Sequence, residues 1–168
     1  MLISPDIKLI LASKSPRRSY LLEQAGIPFE VRTADVDEVF PADLDPLQIA
    51  PFLAELKADN AGHLLKSEEE VLLTADSVVL IDGVKHGKPK SREHAIETLE
   101  KLSGRSHTVV TGCCLLGKDK KEVFSSVAEV HLKPMTRAEI EWYVDTYEPY
   151  DKAGAYAIQI GRASCRER

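Results

Sequence analysis

The stretch Lys8-Leu-Ile-Leu-Ala-Ser-Lys-Ser-Pro-Arg-Arg-Ser-Tyr-Leu-Leu-Glu-Gln-Ala-Gly26 contains a strand, a basic turn and a helix in immediate succession. Lys8 to Ser13 is short, apolar and closed by polar residues, which predicts a buried strand. Ser15 stands where an N-cap belongs, Pro16 at the first helical position and Gly26 at the stop. Leu21, Leu22 and Ala25 are the expected apolar face of that helix. Strand followed at once by helix is the opening of an α/β chain, and the residues beyond keep the alternation.

Phe29 to Thr33 alternates as a strand does, and Ala34-Asp-Val-Asp-Glu38 is an acidic loop. Asp45 and Pro46 start a helix expected to run to about Leu65, with Ile49, Leu53, Leu56 and Ala61 near helical spacing. Val71 to Ile81 reads as a strand interrupted by the polar Thr74-Ala-Asp-Ser77. Asp82-Gly83 signals a turn, with a hairpin return through Val84 to Gly87. Ser91 to Leu102 is a predicted helix closed by Gly104. His107 to Leu116 and Glu122 to Leu132 are predicted strands joined by the turn at Gly117-Lys-Asp-Lys-Lys121. Thr136 with Glu139 is a capping-box pattern for a helix to about Tyr147. Two hairpins among alternating strands and helices make a mixed sheet the expectation.

The chain has 168 residues, 22 basic against 27 acidic, and a net charge of −5, a size that suits one domain. Its 43% hydrophobic and 29% charged composition fits neither a disordered nor a membrane protein. No apolar run reaches the ~18 residues of a membrane span, and no signal peptide is expected before Leu9. A negative chain with one Trp and four Phe is a poor nucleic-acid binder, having few cations for phosphates and few rings for bases. Cys113, Cys114 and Cys165 have no metal-ligand spacing; the first two lie in an apolar run and read as buried, reduced thiols of a cytosolic protein. Ile160 to Arg168 is arginine-dense, without periodicity, and matches a one-frame translation of a common sequencing adapter. The expectation is a single domain over residues 1–159, incomplete at its C-terminus, and a non-native tail over 160–168. Residues 1–159 then carry 19 basic and 26 acidic side chains, net −7.

Four clusters hold the candidate chemistry. Ser13-Lys14-Ser15-Pro16-Arg17-Arg18 sits between a strand end and a helix start, where unpaired N–H groups and arginine forks suit a phosphate. The same residues also read as a capped helix with two solvated arginines. Asp76 lies inside an apolar strand, and a buried carboxylate needs a cation, a metal or a catalytic task. Gly87-Lys88-Pro89 fixes the backbone around a lysine that is otherwise an ordinary loop cation, and Lys57 reads as a solvent-facing helix residue. Glu148-Pro-Tyr-Asp-Lys-Ala-Gly-Ala-Tyr156 suggests a loop of close backbone approach, or a polar connection. The five histidines show no metal spacing, and no Ser-His-Asp set is readable.

Leu11-Ala-Ser-Lys-Ser-Pro-Arg-Arg18, Thr74-Ala-Asp-Ser-Val-Val79, Gly87-Lys-Pro89 with Leu102-Ser-Gly104, and Glu148 to Tyr156 resemble, in order, the motifs of the Maf family of nucleoside triphosphate pyrophosphatases. The resemblance implies a Maf/inosine-triphosphatase-like α/β fold: an elongated mixed central sheet flanked by helices, with two lobes around a cleft. It also implies cytoplasmic residence and frequent homodimers. The implied reaction splits a nucleoside triphosphate between its α- and β-phosphates, giving the monophosphate and pyrophosphate. By resemblance, Asp76 is the proton acceptor, and Glu38 with Asp76 holds Mg²⁺ or Mn²⁺. Ser13, Arg18, Lys57 and Lys88 hold phosphates, and Arg17, Ser77 and Gln159 read the base. The opening and closing motifs look like the dTTP/UTP branch rather than the 7-methyl-GTP branch. Ser77 stands for the family's usual Thr and Ala157 for its usual Gly. A non-catalytic, nucleotide-binding regulator of cell division is the alternative within the same family.

Overall fold

The computed structural model describes residues 7–157, 160–161 and 163–167. In chain order the elements are β1 (Lys8–Leu11), α1 (Pro16–Gln24), β2 (Phe29–Val31), α2 (Ile49–Ala61), β3 (Glu70–Ile81) and β4 (Val84–His86). They continue with α3 (Arg92–Leu102), β5 (Ser106–Leu116), β6 (Lys121–Leu132), α4 (Arg137–Tyr147) and β7 (Ala163–Glu167). The strands form one mixed sheet in the order β2-β1-β3-β5-β6-β7, with β4 beside β3. β1 runs parallel to β2 and β3, whereas β4 is antiparallel to β3 and β7 to β6. Both the α/β class and the mixed sheet agree with the sequence reading.

Two compact units divide the chain: Met1–Asp76 with Thr111–Ser125, and Ser77–Val110 with Ser126–Arg168. In the first, β1 is paired on both sides, Leu9 opposite Phe29 and Val71, and its Ile10 packs with Leu72 and Ala61. α2 buries Leu53 together with the small Ala50, Ala54 and Ala58, all four fully. Arg32 donates both guanidinium arms to the Glu70 carboxylate at 2.7 Å and a further bond to the Leu64 carbonyl at 2.8 Å. That fork holds the Glu70 carboxyl down at about 2. In the second unit α3 and α4 share a core of Ile96, Leu99, Leu102, Ile140 and Val144. Arg92 grips Asp145 through two bonds of 2.6 and 2.8 Å.

Three local expectations change. The helix after Asp45 is α-helical only over Ile49–Ala61, with single 3₁₀ turns at Pro46–Gln48 and Gly62–Leu64. β3 is continuous through Thr74-Ala-Asp-Ser77, because Thr74 and Asp76 find partners on α2 and need no break in the strand. α1 buries none of its residues, and Leu21, expected on an apolar face, is 65% exposed. The capping box at Thr136 and Glu139 is present, both reciprocal bonds made. Among the described residues no helix is long and apolar enough to cross a membrane.

His107 on β5 is 4% exposed, and burial pushes its imidazole down to about 4. Its Nε2 lies 2.6 Å from the Tyr156 hydroxyl, the rings edge-on with centroids 5.3 Å apart, and Nδ1 has no protein partner among the described residues. The folded state thus keeps His107 neutral where the unfolded chain, titrating near 6.5, takes up a proton. Stability from this site is complete above pH 6.5, falls as the pH drops from 6.5 to about 4, and levels below. His107→Gln should flatten the decline of unfolding free energy over that window by up to about 1.4 kcal/mol per pH unit. Urea titrations from pH 7 to 4 giving the same slope in both proteins would contradict this.

Candidate active site

The turn between β1 and α1 is organised by Ser13, which is 8% exposed. Its hydroxyl oxygen accepts from the Ser15 backbone N–H at 3.2 Å and from Arg18 Nη1 at 2.9 Å. Ser15 occupies the N-cap position without a side-chain cap, and its own N–H is satisfied by Ser13. A hydroxyl that accepts twice still has its own proton to donate to a phosphate oxygen. Pro16 at the first helical position has no N–H to leave unpaired, and the Arg18 N–H already donates to the Ser15 carbonyl at 3.1 Å. Arg17 is exposed and Arg18 partly buried, so the pair divides into a solvent-facing and an inward-facing cation.

Asp76, 8% exposed, meets Lys57 of α2: Nζ lies 2.6 Å from Oδ1. The same ammonium lies 2.7 Å from Glu38 Oε1, on the acidic loop. Lys57 therefore bridges two carboxylates, and its own side chain is only 18% exposed, far from the solvated helix lysine that its sequence context suggests. A carboxylate as buried as Asp76 needs such a counter-charge. Burial pushes the Arg18 guanidinium down from its ordinary value; Asp76 and Glu38 oppose this, and Arg17 adds to it. Even so an arginine stays charged. Burial raises the Cys113 thiol, with Arg18 acting against the shift. At the mouth of the turn Lys14 reaches Asp35 at 2.5 Å, an exposed pair that ties the acidic loop to it.

Ser13, Arg17, Arg18, Glu38, Lys57 and Asp76 all belong to the first unit, and the contacts above bring Ser13 to Arg18 and Glu38 and Lys57 to Asp76. Ser77 follows Asp76 on β3, so its side chain takes the opposite face of the strand and is exposed. Lys88, exposed between β4 and α3, belongs to the second unit, next to the buried Pro89. In that unit the Gly87 carbonyl accepts from the Gly154 N–H at 3.2 Å. Gly154 has φ +72 and its α-carbon faces the Val79 side chain, so the Ala-Gly-Ala segment does make the close approach its composition suggests. Gln159 lies outside the described residues.

Two residues packed against α2 receive no role in the sequence reading. Thr74, fully buried, donates its hydroxyl to the Ala54 carbonyl of α2 at 2.6 Å. Gly112 on β5 faces the start of α2 so closely that a β-carbon there would stand 2.2 Å from Pro51 N. The period-two face that Thr74 shares with Asp76 is the one sequence signal for the first. The second carries none beyond being a glycine in a strand.

Glu38 Oε1 and Asp76 Oδ1 converge on one point, the Lys57 ammonium. Two hard, anionic oxygens directed at a single cation are the donor chemistry Mg²⁺ accepts, since it binds through one or two carboxylates and completes its shell with water and phosphate oxygens. The residues fit such an ion. Among the described residues no three or more His, Cys, Asp or Glu come together as a self-sufficient metal site.

The sequence pattern of the Maf-like protein family matches residues 8–166. A dTTP/UTP pyrophosphatase of Bacteroides thetaiotaomicron is 44% identical over 153 residues, covering 90% of this chain and 79% of that protein. A dTTP/UTP pyrophosphatase of Caldicellulosiruptor saccharolyticus is 40% identical over 156 residues, covering 90% and 78%. Among solved structures the chain is similar in fold to the Staphylococcus aureus Ham1 protein, with a TM-score of 0.51 and 19% identity over 74% of this chain and 71% of that one.

Proposed function

Because the chain belongs to the family of Maf-like proteins, we propose that it hydrolyses dTTP and UTP to the nucleoside monophosphate and pyrophosphate. Relatives named for that activity, at 40–44% identity, support the choice of substrate. The observation that carries the chemistry is the buried Asp76 carboxylate, held by Lys57 at 2.6 Å within the unit that also holds the Ser13–Arg18 turn.

Asp76 accepts a proton from the attacking water, whose oxygen joins phosphorus as the bridge between the α- and β-phosphates breaks and pyrophosphate departs. Ser13 donates its free hydroxyl proton to a phosphate oxygen, and Arg18 a forked pair of N–H groups, both already oriented by their mutual bond. Lys57 supplies positive charge to the phosphates, and Lys88 is proposed as a further phosphate contact. Arg17, Ser77 and Gln159 are proposed to select the pyrimidine base. Glu38 and Asp76 would hold Mg²⁺ or Mn²⁺, which supplies charge neutralisation to the phosphate chain when bound. The reading extends to residence in the cytoplasm, in keeping with Cys113 and Cys114 as free thiols, and to a homodimer, which rests on the family resemblance alone.

A panel of triphosphates with Mg²⁺, assayed for pyrophosphate release, tests the choice of substrate. The expected result is turnover of dTTP and UTP well above that of 7-methyl-GTP. Preference for 7-methyl-GTP would overturn it, and binding of dTTP without turnover would favour a regulator instead.

A further inference from the structure

We infer that Thr74 is a positioning residue for Lys57: its hydroxyl bond to the Ala54 carbonyl fixes where α2 sits along β3, and so where the Lys57 ammonium falls. This rests on the reading of Lys57 and Asp76 given above. On β3, Thr74 and Asp76 are two residues apart and share a face. On α2, Ala54 and Lys57 are three residues apart and neighbours on the helix surface. The two contacts are therefore successive rungs between the same two elements: Thr74 Oγ1 to Ala54 O at 2.6 Å, then Lys57 Nζ to Asp76 Oδ1 at 2.6 Å.

The first rung is the rigid one. Thr74 is fully buried and β-branched, with restricted χ1, and its acceptor is a backbone carbonyl of a helix whose Ala50, Ala54 and Ala58 are also fully buried. The second rung ends on a flexible four-carbon stem. Leu53 and the close approach of Gly112 to Pro51 hold the start of α2, and the Thr74 bond, at Ala54, is the directional contact that sets the helix one turn before Lys57 leaves it. Without that bond, Lys57 no longer returns to one place between Glu38 and Asp76, and a displacement of about 1 Å at a catalytic group can cost a hundredfold in rate.

Three variants decide the matter. Thr74→Val keeps the shape and removes the hydroxyl, Thr74→Ser keeps the hydroxyl, and Thr74→Ala repeats the loss should the valine fail to fold. Reductive methylation of the nucleotide-free proteins, followed lysine by lysine in a mass spectrometer with Lys101 as internal reference, reads the Lys57 contact directly. Lys57 should be labelled about tenfold faster in Thr74→Val and within about twofold of wild type in Thr74→Ser, as its amine is freed from its two carboxylates. For dTTP, kcat/KM should fall about tenfold in the valine variant and be restored by serine. Unchanged Lys57 labelling in Thr74→Val, or a serine variant as labelled as the valine, would overturn the inference. The labelling involves no nucleotide, so a wild type without triphosphate turnover would sink the proposed reaction alone and leave Thr74 to be judged by Lys57.

Discussion

Asp76→Asn should lower the rate of pyrophosphate release from dTTP by about 10²–10⁴-fold, the range a positioned general base contributes. Asparagine keeps the shape and one oxygen for Lys57 but cannot accept the proton of the attacking water. The rate falls through kcat, because Ser13 and Arg18, two of the groups proposed to hold phosphate, are untouched and remain joined at 2.9 Å. KM should stay within about tenfold of wild type, the signature of an interaction made in the transition state. The fold should survive the change: Lys57 keeps Glu38 as its counter-charge at 2.7 Å, and Thr74 keeps its bond to α2. Steady-state kinetics with a circular-dichroism melt on the same preparation check both halves. An asparagine variant that turns over dTTP at the wild-type rate would remove Asp76 from the chemistry.

Gly112→Ala should be the most destabilising single methyl addition in the first unit. A β-carbon at Gly112 would stand 2.2 Å from Pro51 N, 2.3 Å from the Ala50 carbonyl carbon and 2.4 Å from Pro51 Cα. All three are backbone atoms, so no side chain can swing aside, and either the first turn of α2 or β5 has to shift. Overpacking of this kind costs about 3 kcal/mol, at the upper end of its usual range. For a chain of this length that is roughly 6–12 °C in melting temperature. The Gly112 backbone itself is unstrained in the left-handed sense, so sterics alone carry the prediction. Since α2 also carries Lys57, the surviving folded fraction should lose activity as well. Equal urea midpoints for Gly112→Ala and wild type would contradict the close approach of β5 to α2.

Much of this architecture is legible from residue order. The apolar run before Ser13, the Pro16 start, the Asp82-Gly83 turn and the Thr136–Glu139 capping box are local signals, and each marks an element that forms. Asp76 stands out because a carboxylate in an apolar strand requires an explanation. What stays hidden depends on partners distant in sequence. β3 reads as broken at Thr74-Ala-Asp-Ser77 because polarity usually ends a strand, yet the Ala54 carbonyl and the Lys57 ammonium satisfy those groups from twenty and nineteen residues away. Lys57 reads as solvated for the same reason in reverse. The apolar stripe of α1 misleads, since periodicity shows that a face is apolar and not that anything covers it; Tyr20 is 58% exposed as well. Gly112 has no local signature, because its requirement is set wholly by the helix packed on it.

If this chain splits a pyrimidine nucleoside triphosphate between its α- and β-phosphates, phosphorus NMR of a reaction of the wild-type protein with dTTP and Mg²⁺ reads the bond broken from the products. Equal amounts of dTMP and pyrophosphate, with no orthophosphate as the first product, are the expected result; dTDP with orthophosphate would contradict it.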